Sequence, residues 1–157
     1  MANTQAIPKT FRLDLMNGKH AFGASVIRAA TTKDSFKAAL YLASATINAD
    51  TAAYTVTGEV SSTGTGYTAA GIAVTNANDP ANTGGTGVVA FWTPSASLAF
   101  GTVTLSTSFD CVLIYNDTAA GKNAVSVNTF GATTVTAATF TLTMPVSDLS
   151  TGLIRLG

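Results

Sequence analysis

Three long stretches of the chain carry no charged residue: Val60 to Asn78, Pro80 to Phe109 and Asn123 to Ser147. An ordinary soluble domain has charge at about a quarter of its positions. Stretches like these must therefore cross a membrane, lie in a core, or face a surface that needs no charge. Each is interrupted by Gly, Ser, Thr, Asn or Pro, so none is a run of about 20 apolar residues able to span a bilayer. Thr and Ala supply 27 residues each of the 157. Thr is β-branched and packs well on a pleated sheet. The combination predicts a β-domain covered in hydroxyls instead of charges.

The rest of the composition narrows the function. Hydrophobic residues make up 46%, charged residues 10%, and eight basic side chains balance eight acidic ones. Intrinsic disorder is excluded, because it combines low hydrophobicity with high net charge. Direct nucleic-acid binding is not expected without an excess of Lys and Arg. One Cys and one His exclude an internal disulfide framework and His- or Cys-rich metal sites. The N-terminus lacks the apolar core of a signal peptide, so synthesis in the cytoplasm and no membrane partner are expected. Net charge keeps free proteins apart in solution. A neutral, charge-poor chain is therefore expected to work assembled with other subunits, as a homo-oligomer or against a partner. The first 37 residues hold six basic and two acidic residues, net +4, and the remainder holds the reverse, net −4. Such a dipole can orient a subunit against its neighbour.

Local patterns predict the elements. Residues 1–10 read as an N-terminal arm and 11–157 as one domain. Phe11 to Met16 predicts a short helix, with Phe11 and Leu15 on one face, Thr10 as its cap and Asn17-Gly18 as its stop, although the alternation of Phe11, Leu13 and Leu15 also fits a strand. Strands are predicted at Phe36–Leu42, Ile72–Thr75, Val88–Trp92, Thr102–Ser106, Phe109–Tyr115, Ala124–Phe130, Thr139–Met144 and Leu153–Leu156. Asn76 to Gly85 is turn chemistry. Seven to nine short strands with polar turns imply an all-β, single-domain antiparallel β-sandwich or jelly-roll-like fold, with an N-terminal arm and a short helix.

Little in the chain suggests catalysis. His20 is the sole imidazole, and no Gly-x-Ser-x-Gly elbow presents a nucleophile to it. It is expected to be structural or at the surface. Cys111 lies in the most apolar strand and is expected to be buried. Asn76, Asn78 and Asp79 offer oxygens but lack the spaced acids of a calcium loop. No cofactor, metal site or catalytic residue is therefore expected. Tyr67 and Trp92, if exposed together, would form a sugar-binding face. The residues expected to meet a partner are Lys9, Arg12, Lys19 and Arg28 as charges, and Phe11 and Leu15 as apolar anchors.

Several strings carry a further resemblance. They are Leu15-Met16-Asn17-Gly18-Lys19-His20-Ala21-Phe22, the run Asp34 to Thr46, Tyr54 to Val60 and Gly64 to Gly71. Leu113-Ile114-Tyr115-Asn116, Lys122 to Val125, Thr141 to Pro145 and Leu153 to Leu156 follow. Together they resemble a family of small all-β virion proteins of tailed bacteriophages, over nearly the whole chain after Pro8. The resemblance implies a non-enzymatic virion subunit. A capsid decoration or cement protein bound to the major capsid protein fits first. A tail, head-fibre or connector component with a receptor- or glycan-binding module is the alternative.

Overall fold

The computed structural model describes residues 3–16, 18–22, 33–75, 78–82 and 89–156. One helix, α1 (Lys9–Met16), precedes six strands: β1 (Phe36–Leu42), β2 (Ile72–Ala73), β3 (Ala90–Trp92), β4 (Leu98–Asn116), β5 (Ala124–Leu142) and β6 (Ile154–Leu156). The four-stranded sheet runs in the order β2-β1-β4-β5, and β3 pairs with β6 in a separate two-stranded sheet. All described pairings are antiparallel, so the all-β expectation holds at the level of class.

The helix begins at Lys9, inside the expected arm, and Thr10 is therefore not its cap. Its stop is as read: Gly18 takes φ +64 and its N–H donates to the Leu15 carbonyl at 3.0 Å. The Lys19 N–H donates to the Asp14 carbonyl at 2.8 Å. These two bonds close the last turn as a Schellman motif. Residues 3–8 lie along the domain. The Thr4 N–H donates to the Ile47 carbonyl, and Ala6 exchanges both backbone hydrogen bonds with Val127 on the outer edge of β5.

β1 matches its predicted bounds, with Phe36, Ala38 and Leu40 fully or almost fully buried. The main departure is in strand number. Thr102–Ser106 and Phe109–Tyr115 lie in one 19-residue strand, and Ala124–Phe130 and Thr139–Leu142 lie in another, which ends before the expected Met144. Straight strands of that length would reach about 60 Å, well beyond a globule of this size. Register shifts at Ala99/Thr102, Val103/Leu105, Leu105/Phe109 and Phe109/Cys111 let the ribbon coil without ending. Gly101 and Ala137 take positive φ in the shifted segments. Glycines and threonines that read as strand breaks are thus bends within continuous strands.

The main core joins both sheets. Phe22 stacks on Phe36 at 4.9 Å and meets Trp92 edge-on at 4.7 Å, and Ile154 of β6 lies in the same cluster. Each such side chain contributes about 1.5–3 kcal/mol by leaving water. Gly71 is required where the chain crosses β1: its φ is +78, and a Cβ there would sit 1.9 Å from the Ala38 carbonyl oxygen.

Candidate functional site

One cluster of titratable side chains gathers at the β4–β5 turn. Asn116, the last residue of β4, is fully buried. Its Oδ1 accepts the Thr118 and Ala119 N–H groups, both at 3.0 Å, which fixes the amide orientation. Its Nδ2 therefore faces inward and donates to Asp34 Oδ2 at 2.7 Å and to the Lys19 carbonyl at 3.0 Å. It also lies 3.1 Å from His20 Nδ1. Asp34 Oδ2 accepts the Ala21 N–H at 2.7 Å as well.

Asp14, 2% exposed on α1, completes the cluster. Its Oδ1 accepts Lys19 Nζ at 2.7 Å and its Oδ2 accepts Asn123 Nδ2 at 2.9 Å. His20 Nε2 lies 3.9 Å from the same oxygen. At the rim, Asp117 meets Lys122 at 2.7 Å and Lys37 at 3.5 Å. The hydrogen bond from Lys122 does most to hold the Asp117 carboxyl below its usual range; burial opposes it, and the charges of Lys37 and Lys122 add to it. Of these pairs, Lys37–Asp117 joins a base of the first 37 residues to an acid of the later chain, whereas Lys19–Asp14 and Lys122–Asp117 each lie within one part of the sequence's charge dipole.

These groups form a structural lock. One oxygen of Asp14 takes Lys19 and the other Asn123, and Asn116 is engaged at both ends of its amide. Together they tie α1, the His20 segment, the start of β1 and the hairpin turn into one unit. His20 is buried in the lock, and its ring packs 5.1 Å from Phe11. Among the described residues no group of three His, Cys, Asp or Glu side chains could hold a metal ion.

A second network surrounds Glu59. Its Oε1 accepts Tyr67 Oη at 2.7 Å and the Ala70 N–H at 2.8 Å, and its Oε2 accepts Tyr54 Oη at 2.6 Å. Burial and the neighbouring carboxylate push the Tyr54 and Tyr67 hydroxyls upward, so they stay protonated donors. Cys111 is fully buried, and burial followed by the Asp110 charge pushes its thiol up to about 12. A protonated, inaccessible thiol is inert.

The partner residues expected from the sequence separate. Phe11 is 0% exposed inside the chain's own core, so it cannot anchor a partner. Leu15 is half-buried against the same core. Lys19 is exposed but paired with Asp14. Lys9 and Arg12 lie on α1, their side chains outside the described set, and Arg28 lies wholly outside it. Asn78 is structural: its amide donates to the Thr93 carbonyl, and its own carbonyl accepts the Trp92 indole N–H. Asn76 lies outside the described residues. Tyr67 and Trp92 are 4% and 2% exposed, so the sugar-stacking face they would have formed is absent.

The surface that sequence reading missed is the open half of the hairpin, Leu98–Ser108 with Thr129–Leu142. Its exposed positions include Thr102, Thr104, Ser106, Thr134, Thr136, Thr139 and Thr141, and no charged residue occurs in either segment. The signal was present in the two charge-free stretches, but only the pairing of β4 with β5 makes them one surface. Beside it lies a cleft of about 650 Å³, lined by Gln5, Ile7, Asn128, Leu142, Met144 and Arg155 among others. The Arg155 guanidinium is engaged by the Ser150 carbonyl at 2.7 Å. No protein-family model, characterised protein or solved structure matches the chain.

Proposed function

We propose that this chain is a non-enzymatic structural subunit of a tailed-bacteriophage particle, a decoration or cement protein that binds and stabilises the major capsid lattice. The observation that carries the reading is the charge-free, hydroxyl-covered open half of the β4–β5 hairpin. Interface cores are depleted in charge, and hydroxyls that find hydrogen-bond partners are desolvated at far lower cost than ionised groups. The resemblance in sequence to small all-β virion proteins points to the particle. A jelly-roll-like sandwich, with the β3–β6 sheet packed across the larger one, belongs to the same reading. So do the virion as its location and the basic residues of α1 and its flank as charges facing acidic capsid loops.

The test is stoichiometry on the particle. Purified protein is added to particles lacking it, and bound copies are counted against the major capsid protein. Binding at a fixed ratio to capsid subunits, with heat release of DNA shifted to higher temperature, is the expected result. Copies numbering only those of a tail or connector would overturn the decoration role in favour of the alternative. Failure to bind any part of the particle would overturn the reading altogether.

A further inference from the structure

Among the described residues, no strand pairs with the outer edge of β5 beyond Thr129. β5 is the last strand of its sheet. At its start this edge already accepts an extended segment, because Ala6 pairs with Val127 in both directions. From Thr129 to Leu142, its backbone partners among the described residues are β4, the Thr104 hydroxyl and, at the Thr134 carbonyl, the neighbouring Thr133 hydroxyl. Exposed edges are normally blunted by charge or Pro, which prevent pairing with another chain. Between Lys122 and Pro145 there is neither. One register shift adds a residue to β5 at Ala137, and the next, between Ala99 and Thr102 opposite Phe140, adds its residue to β4, so β5 itself runs from Ala138 to Leu142 without an inserted residue. Along the same edge Phe130, Val135, Phe140 and Leu142 pack on the core but stay only partly buried. Among the described residues no strand follows β5 to cover these side chains.

We propose that Ala138–Leu142 is a self-association edge, which pairs antiparallel with the same run of a second copy across a two-fold axis. Centred on Phe140, this pairing sets Thr139 opposite Thr141 of the other copy. It extends one sheet through two subunits and covers both Phe140 and both Leu142 side chains. The occupant follows from charge. A strand carrying charges would gain no counter-charge from this edge, whereas the chain's own run is neutral, self-complementary and free of like-charge repulsion. Thr–Thr pairs across the axis add hydrogen-bonding capacity. The pairing does not depend on the particle reading.

Sedimentation of the intact protein over a concentration series tests it. The wild type should pass from monomer to twice the monomer mass, and the Thr139→Lys/Thr141→Lys variant should remain monomeric. A wild type that stays monomeric throughout, or a lysine variant that associates like it, overturns the proposal. If the lysine variant does not fold by circular dichroism, the Thr139→Cys/Thr141→Cys variant decides. Mild oxidation should give a disulfide-linked dimer that a reductant reverses, with buried Cys111 taking no part. Absence of that dimer overturns the proposal. Monomers that still decorate particles would overturn the pairing and leave the particle reading intact.

Discussion

The β4–β5 hairpin has two halves that share a sequence style and differ in nearly everything else. At the turn, Cys111 to Asn116 are buried without a break, because β1 flanks β4 and both sheet faces are covered. The facing residues Ala124 to Asn128 are buried too, with the N-terminal segment on their outer edge. Asp14, Lys19, Asp34, Lys37, Asp117 and Lys122 collect around this end. In the open half, burial alternates along β4 from Leu98 to Leu105, one face is wet, and no charge is present. Charge and closure therefore go together. The closed end needs polar locks to fasten the elements that cover it, whereas among the described residues the open end has no such elements to fasten and keeps a surface that costs less to desolvate than a charged one.

The sharpest test of that contrast is a matched pair of core truncations. Leu113 and Leu105 are 0% and 2% exposed on the same strand. Leu→Ala at buried sites costs about 2–5 kcal/mol, and more where surroundings cannot collapse into the cavity. Leu113→Ala should lie near the top of that range and Leu105→Ala nearer the bottom, read from urea unfolding midpoints. Equal losses would mean that the two halves are equally rigid, and the comparison would fail. Next in size is the lock. Asn116→Ala removes the amide that serves Asp34, Thr118 and Ala119, and leaves a buried carboxylate short of a donor. A loss of about 2–3 kcal/mol is expected. Asn128→Ala, whose amide donates to Ser126 Oγ, should lose only about 1 kcal/mol. If the two losses match, the Asn116 cluster is not a lock.

The sequence disclosed class more readily than connectivity. Short apolar runs placed β1, β3 and β6 to within a few residues, and Gly18 marked the end of α1, because these signals are local. The long strands were cut in two because a bulge and a turn use the same residues. Gly101, Gly131 and the Thr-rich flanks say only that the backbone bends there. Phe11 and Leu15 share a helical face as their spacing implies, but spacing cannot say whether that face meets a partner or the chain's own core. The lock was least visible. Asp14, Asp34 and Asn116 are scattered singly along the sequence, and long-range pairing alone brings them to one place.

The smallest expected effect lies at the rim of the lock. Asp117 is partly exposed and pairs with Lys122 and Lys37. Its carboxyl is held below the ordinary value of 3.8, so the folded state prefers the ionised form. That preference stabilises the fold fully above the ordinary value and is lost as pH falls through the lower, folded value. Exposed pairs are screened, so Asp117→Asn should reduce stability at neutral pH by only about 0.5 kcal/mol. Urea midpoints of the two proteins should converge as pH drops from about 5 towards 3, because the wild type then loses what the variant already lacks. High salt at neutral pH should narrow the same gap. A gap that persists in acid and in salt would place Asp117 inside the lock, through its backbone and the turn, and would extend the closed end of the hairpin one residue past Asn116.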